Sequence, residues 1–113
     1  MVAYKSRCCI SGLDVPRLLV ASHIVLWSED KLNRLNPGNG LCLSALYDRA
    51  FDQGFITMDE SWRLLVSGEL KQRPSAAVQA SFIAIERQAI EMPERFMPTS
   101  AFMEWHRDNV YLK

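Results

Sequence analysis

The chain has no long apolar run, no CxxC pair, and no excess of either charge. Each absence removes a class of protein. A membrane-spanning helix needs roughly 18 consecutive apolar residues, and none is present. The start, MVAYKSRCC, lacks the apolar stretch and small-residue cleavage site of a signal peptide, so a cytoplasmic location is expected. Cysteine occurs only at Cys8, Cys9 and Cys42. An odd number, two of them adjacent, makes a poor disulfide framework. Without CxxC spacing the usual structural zinc site is not supported. All three are expected to be reduced and buried as small hydrophobes.

Hydrophobic residues make up 49% of the 113 residues and charged residues 23%, ordinary for one folded domain and unlike a disordered chain. We therefore expect a single domain over residues 1–113. The net charge is zero, which lacks the basic footprint usual for a polyanion binder. The charge is uneven, however. Residues 1–50 carry six Lys/Arg against four acids, and residues 51–113 carry seven against nine. Any surface facing a polyanion belongs to the first half.

Hydrophobic patterning predicts strand, long loop, strand and helix in that first half. Leu18–Ala21 and Ile24–Leu26 are short apolar runs after Pro16. The polar SEDKLNRLNPGNG from Ser28 to Gly40 predicts a loop, long enough to suspect function on length alone. Leu41–Leu43 predicts a second strand, and Ser44 is a good N-cap for a helix burying Leu46, Ala50 and Phe51. Gly54 is placed to end that helix. A hairpin follows, Phe55–Met58 and Trp62–Val66 around Asp59–Glu60–Ser61. Residues 75–90 read as one helix with Val78, Phe82, Ile85 and Ala89 on its face. A last helix is expected near Thr99–Asn109. Trp27, Trp62 and Trp105 read as core rather than as base-stacking surfaces.

Two patterns carry chemistry. The first is Ser22-His23-Ile24 at the end of an apolar strand. A lone histidine there is more often a hydrogen-bonded structural residue than a catalyst. The second is Asp48 and Asp52, four apart on a helix and therefore on one face. Such pairs are usually only solvated, but two carboxylates at this spacing can also offer hard oxygen ligands to Mg²⁺ or a similar ion.

The order of a histidine, then Asn-Gly before a strand, then an acidic helix resembles the HNH endonuclease family. The likeness runs through CCISGLDVPRLLVASHIVLWSEDKLNRLNPGNGLCLSALYDRAFDQGFIT and into PERFMPTSAFMEWHRDNVY. More narrowly, it is similar to the HNH domain at the C-terminal end of many bacterial restriction endonucleases. The resemblance implies an α+β fold: a ββα-metal (HNH, or His-Me finger) core with an added β-hairpin and C-terminal helices. It implies a metal-dependent endonuclease that hydrolyses DNA phosphodiester bonds, restriction-related in its narrower form. His23 would be the general base that activates water, since an imidazole titrates near neutral pH. Asn39, in NPGNGL, would fix the loop and the geometry of the histidine. Asp48 would bind one divalent metal, Mg²⁺ first and Mn²⁺ or another transition ion second, with Asp52 as neighbour or second ligand. The expected partner is double-stranded DNA, with Arg17, Arg34 and Arg49 as candidate phosphate contacts. Recognition of sequence would fall to a separate subunit or domain, because only about six residues precede the module.

Two departures leave a second reading open. The residue before the catalytic histidine is commonly Asp or His in the wider superfamily, and here it is Ser22. Many relatives carry His where this chain has Tyr47, a poor Mg²⁺ ligand while its phenol is protonated. The alternative is a catalytically impaired HNH-fold module for DNA binding or assembly. His106, in EWHRDNVY, resembles the family's closing His-Arg segment and reads as a packing or hydrogen-bonding residue.

Overall fold

The computed structural model describes residues 6–25, 37–73, 75–93 and 97–113. The expected loop from Ser28 therefore lies outside the described residues as far as residue 36, together with Trp27 and Arg34. Its last residues, Pro37–Asn39, form a 3₁₀ turn.

Pro16, whose ring presets φ, opens a 3₁₀ turn over Pro16–Leu18. The apolar run after it becomes strand β1, Leu19–His23, and strand β2 is Gly40–Ser44. They pair antiparallel, from Leu19 opposite Ser44 to His23 opposite Gly40. Helix α1, Ala45–Asp52, follows directly with Ser44 at its N-cap position. The Ser44 hydroxyl makes no capping bond, however.

Gly54 ends α1 for two separate reasons. Its φ of +82° is the left-handed conformation that costs other residues energy. A Cβ there would also lie 2.2 Å from the Val110 carbonyl oxygen. The amide of Phe55 reaches back to the Ala50 carbonyl, and that of Gly54 to Phe51, closing a Schellman turn.

Strands β3, Ile56–Met58, and β4, Leu64–Val66, form the second antiparallel pair. Asp59 builds the turn between them, its carboxylate accepting from the amides of Ser61 and Arg63. A short helix α2, Gly68–Lys71, is capped by the Ser67 hydroxyl. Helix α3 spans only Ala76–Ser81, capped by Ser75. A 3₁₀ turn at Ile83–Ile85 succeeds it, so the single helix expected over 75–90 does not form. Residues 87–90 lie along β4 instead: Arg87 donates to the Leu64 carbonyl, Leu64 to Gln88 and Ile90 to Trp62. Helix α4, Ser100–Asn109, is the last element.

The result is a small mixed domain of two two-stranded antiparallel sheets with helices packed on them. Its core joins Leu41, Leu43, Phe51, Ile56, Met58, Leu64 and Met103. Tyr47, not Leu46, is the α1 residue buried beside Ala50 and Phe51, and Leu46 is 52% exposed. Cys8, Cys9 and Cys42 are free and buried. Trp62 and Trp105 are half-buried. No helix among the described residues is long and apolar enough to cross a membrane.

Candidate functional site

His23 is the last residue of β1, opposite the first residue of β2. The ring therefore stands at the end of the strand pair where the chain departs into the long polar stretch. Asn39 seals that exit. Its side-chain oxygen accepts from the Val25 amide at 2.7 Å, and its side-chain nitrogen donates to the Val25 carbonyl at 3.1 Å. Its own carbonyl accepts from the Ile24 amide at 3.0 Å. Three bonds thus tie buried Asn39 to the two residues that follow His23.

The acidic residues arrive from the opposite direction. Ser44 faces Leu19, the end of β1 remote from His23. Helix α1 then returns along the pair, and eight residues cover roughly 12 Å. Its last residue, Asp52, comes back within electrostatic reach of His23. Partial burial pushes the Asp52 carboxyl above the usual range, and the charge of Asp48 one turn earlier adds to that rise. Arg49 and His23 pull it the other way. Asp48 is half-buried in the first turn, where the helix dipole favours an anion.

Of the candidate phosphate contacts, Arg49 is exposed on α1 between the two carboxylates. Arg17 is exposed in the turn before β1, at the end of the strand pair away from His23. Arg34 lies outside the described residues.

Tyr47 takes no part in this cluster. Its hydroxyl donates to the Ser81 carbonyl at 2.6 Å, and its ring meets Phe82 edge-on with centroids 5.5 Å apart. Burial raises its pKa, and nearby Cys8 adds to the rise, so the phenol stays protonated. Ser22 follows a different pattern. It is buried, and its hydroxyl has no hydrogen-bond partner among the described residues. Composition and spacing carry no sign of that, because an orphaned hydroxyl is a property of packing.

A divalent ion fits this donor set in kind. Two like-charged carboxylates at i and i+4 repel each other, and a cation between them removes the repulsion. Among the described residues no three His, Cys, Asp or Glu side chains converge on a metal-sized site. Paired carboxylates can hold an ion such as Mg²⁺, which takes one or two of them and completes its shell with water and phosphate oxygens.

No curated protein matches the sequence. Among solved structures, the fold is similar to that of a modification-dependent TagI restriction endonuclease. The likeness has a TM-score of 0.66 at 17% identity, and covers 96% of this chain and 35% of that one. The chain thus spans about a third of the length of that enzyme. Residues 8–59, which hold His23, Asn39, Asp48 and Asp52, match the HNH endonuclease family. This likeness to HNH endonucleases covers 52 of the 113 residues.

Proposed function

We propose that the chain is the nuclease module of a restriction-type system, hydrolysing phosphodiester bonds of double-stranded DNA with one divalent ion, Mg²⁺ or Mn²⁺. The observation that carries the reading is the Asn39 clamp that holds the backbone just past His23, with the acidic end of α1 within electrostatic reach of the histidine. His23 is the general base. It takes a proton from water as the water oxygen bonds to phosphorus and the bond to the leaving sugar oxygen breaks. Asn39 holds the histidine's end of the strand in place. Asp48 and Asp52 would hold the ion, which when bound neutralises charge on the scissile phosphate. Arg49 offers charge to the DNA backbone next to the carboxylates. The match of residues 8–59 to HNH endonucleases supports the nuclease activity, and the fold shared with a restriction enzyme supports the setting.

Ser22 and Tyr47 favour the second reading, a module that binds DNA without cutting it, because neither supplies the ligand that relatives carry. Plasmid nicking in Mg²⁺ or Mn²⁺, compared between the unaltered chain and His23→Ala, separates the two. The nuclease reading expects at least a ~100-fold loss in the variant. Equal nicking by both proteins removes His23 from the reaction. DNA retention without nicking supports the second reading.

A further inference from the structure

The C-terminal helix lies outside the segment that matches the family, yet it grips both halves of the candidate site. At its start, the Thr99 amide donates to the carbonyl of Gly38, the residue before Asn39, at 2.9 Å. Toward its end, the buried ring of His106 stacks on Phe51 with centroids 3.7 Å apart and planes 4° from parallel. Its Nε2 lies 2.9 Å from the Phe51 carbonyl oxygen, and its Nδ1 lies 2.8 Å from the Thr57 hydroxyl. A carbonyl can only accept, so Nε2 carries the proton and Nδ1 accepts from Thr57. The tail adds a third hold, the Leu112 amide donating to the Gly54 carbonyl at 2.9 Å. Phe51 immediately precedes Asp52, so these contacts bear on the turn that carries the carboxylate.

We propose that His106 is a positioning residue of the nuclease site, fixing the last turn of α1 through Phe51 and so holding the Asp52 carboxylate toward His23. The inference rests on the nuclease reading above. A ring that both stacks on a side chain and bonds that residue's own carbonyl constrains the turn in two directions. An apolar replacement of similar size would retain the first constraint alone.

The test compares nicking kinetics of the full chain with those of His106→Gln, His106→Leu and Thr57→Val, each assayed well below its own melting temperature. His106→Leu is expected to lower kcat at least ~10-fold while KM for plasmid stays within about twofold, because misplacement of a reacting group falls on kcat. His106→Gln, whose amide can still donate to Phe51, should recover most of that loss. Thr57→Val, which removes the donor to Nδ1 and leaves the ring itself in place, should lower kcat a few-fold. A folded His106→Leu with unchanged kcat overturns the proposal, as does an effect on KM alone or a glutamine variant no better than leucine. If His106→Leu does not fold, unchanged kcat in Thr57→Val overturns it. An unaltered chain that never nicks overturns the nuclease reading and this inference together. His23-dependent nicking that ignores His106 overturns this inference alone.

Discussion

The side chain of Asn39 holds Val25, 14 residues earlier in the chain, by both of its backbone polar groups, at 2.7 and 3.1 Å. Asparagine suits this task because its amide carries an acceptor and a donor side by side. Both partners are buried, so water cannot replace either bond.

Asn39→Ala is therefore expected to destabilise by about 3 kcal/mol, the loss of two buried bonds at roughly 1–3 kcal/mol each. In a domain of this size that lowers the melting temperature by about 10–20 °C. Asn39→Asp should do no better, since it sets a carboxylate against the Val25 carbonyl. Thermal unfolding followed by circular dichroism measures both, and a shift below about 2 °C would show that the clamp is dispensable.

His106 makes stability depend on pH. Burial is the main cause that pushes its pKa down to about 4 from an ordinary 6.5, with the charge of Arg107 adding to the fall. Between those values the unfolded chain binds more protons than the folded one, so stability rises with pH across the window. It is lost as the pH falls from about 6.5 to about 4, by on the order of 3 kcal/mol in all. In His106→Gln the stability curve should be flatter over this window. An unchanged slope would assign the pH dependence to other groups.

Asp52 acts with the opposite sign. Its carboxyl is raised in the folded chain, so folding holds the proton more tightly and stability falls as the pH climbs through the carboxylate range. At neutral pH, Asp52→Asn should melt slightly higher, by less than about 0.5 kcal/mol, while nicking drops at least ~10-fold. Millimolar Mg²⁺ should raise the melting temperature of the unaltered chain more than that of the variant. Equal responses to Mg²⁺ would remove Asp52 from ion binding.

Tyr47→Phe keeps the edge contact with Phe82 but deprives the Ser81 carbonyl of its donor. A loss of about 1–2 kcal/mol is expected. kcat measured below the melting transition should be unchanged, because the phenol points into packing rather than toward the carboxylates. A large fall in kcat at intact stability would return Tyr47 to the site.

Arg49→Ala should weaken DNA association uniformly across sequences and reduce the slope of log affinity against log salt by about 1, the loss of one phosphate contact. Arg17→Ala reports separately on the remote end of the strand pair. Identical salt slopes in all three proteins would place the DNA on another face.

Much of the first half of the fold was legible because its signals are local. Pro16 and the apolar run after it mark β1, Ser44 and Gly54 bracket α1, and alternation around Asp59 marks the hairpin. The spacing of Asp48 and Asp52 puts both on one face wherever the helix packs. Long-range contacts settled the rest. Periodicity alone supports a helix over 75–90, but β4 has an open edge whose amides and carbonyls need partners. Residues 87–90 supply them, and α3 stops at Ser81. Leu46 and Tyr47 are adjacent and both apolar enough to bury. The approach of Phe82 and the Ser81 carbonyl, more than thirty residues away, chose Tyr47. His106 gave the same kind of answer: its residue type permitted a buried hydrogen-bonding role, and only the arrival of α4 against Phe51 determined which turn it holds. Sequence by itself determined the elements whose signals lie within a few residues. Tertiary structure decided wherever distant residues compete for one buried contact, because the free energy of such a contact depends on a partner that local spacing does not reveal.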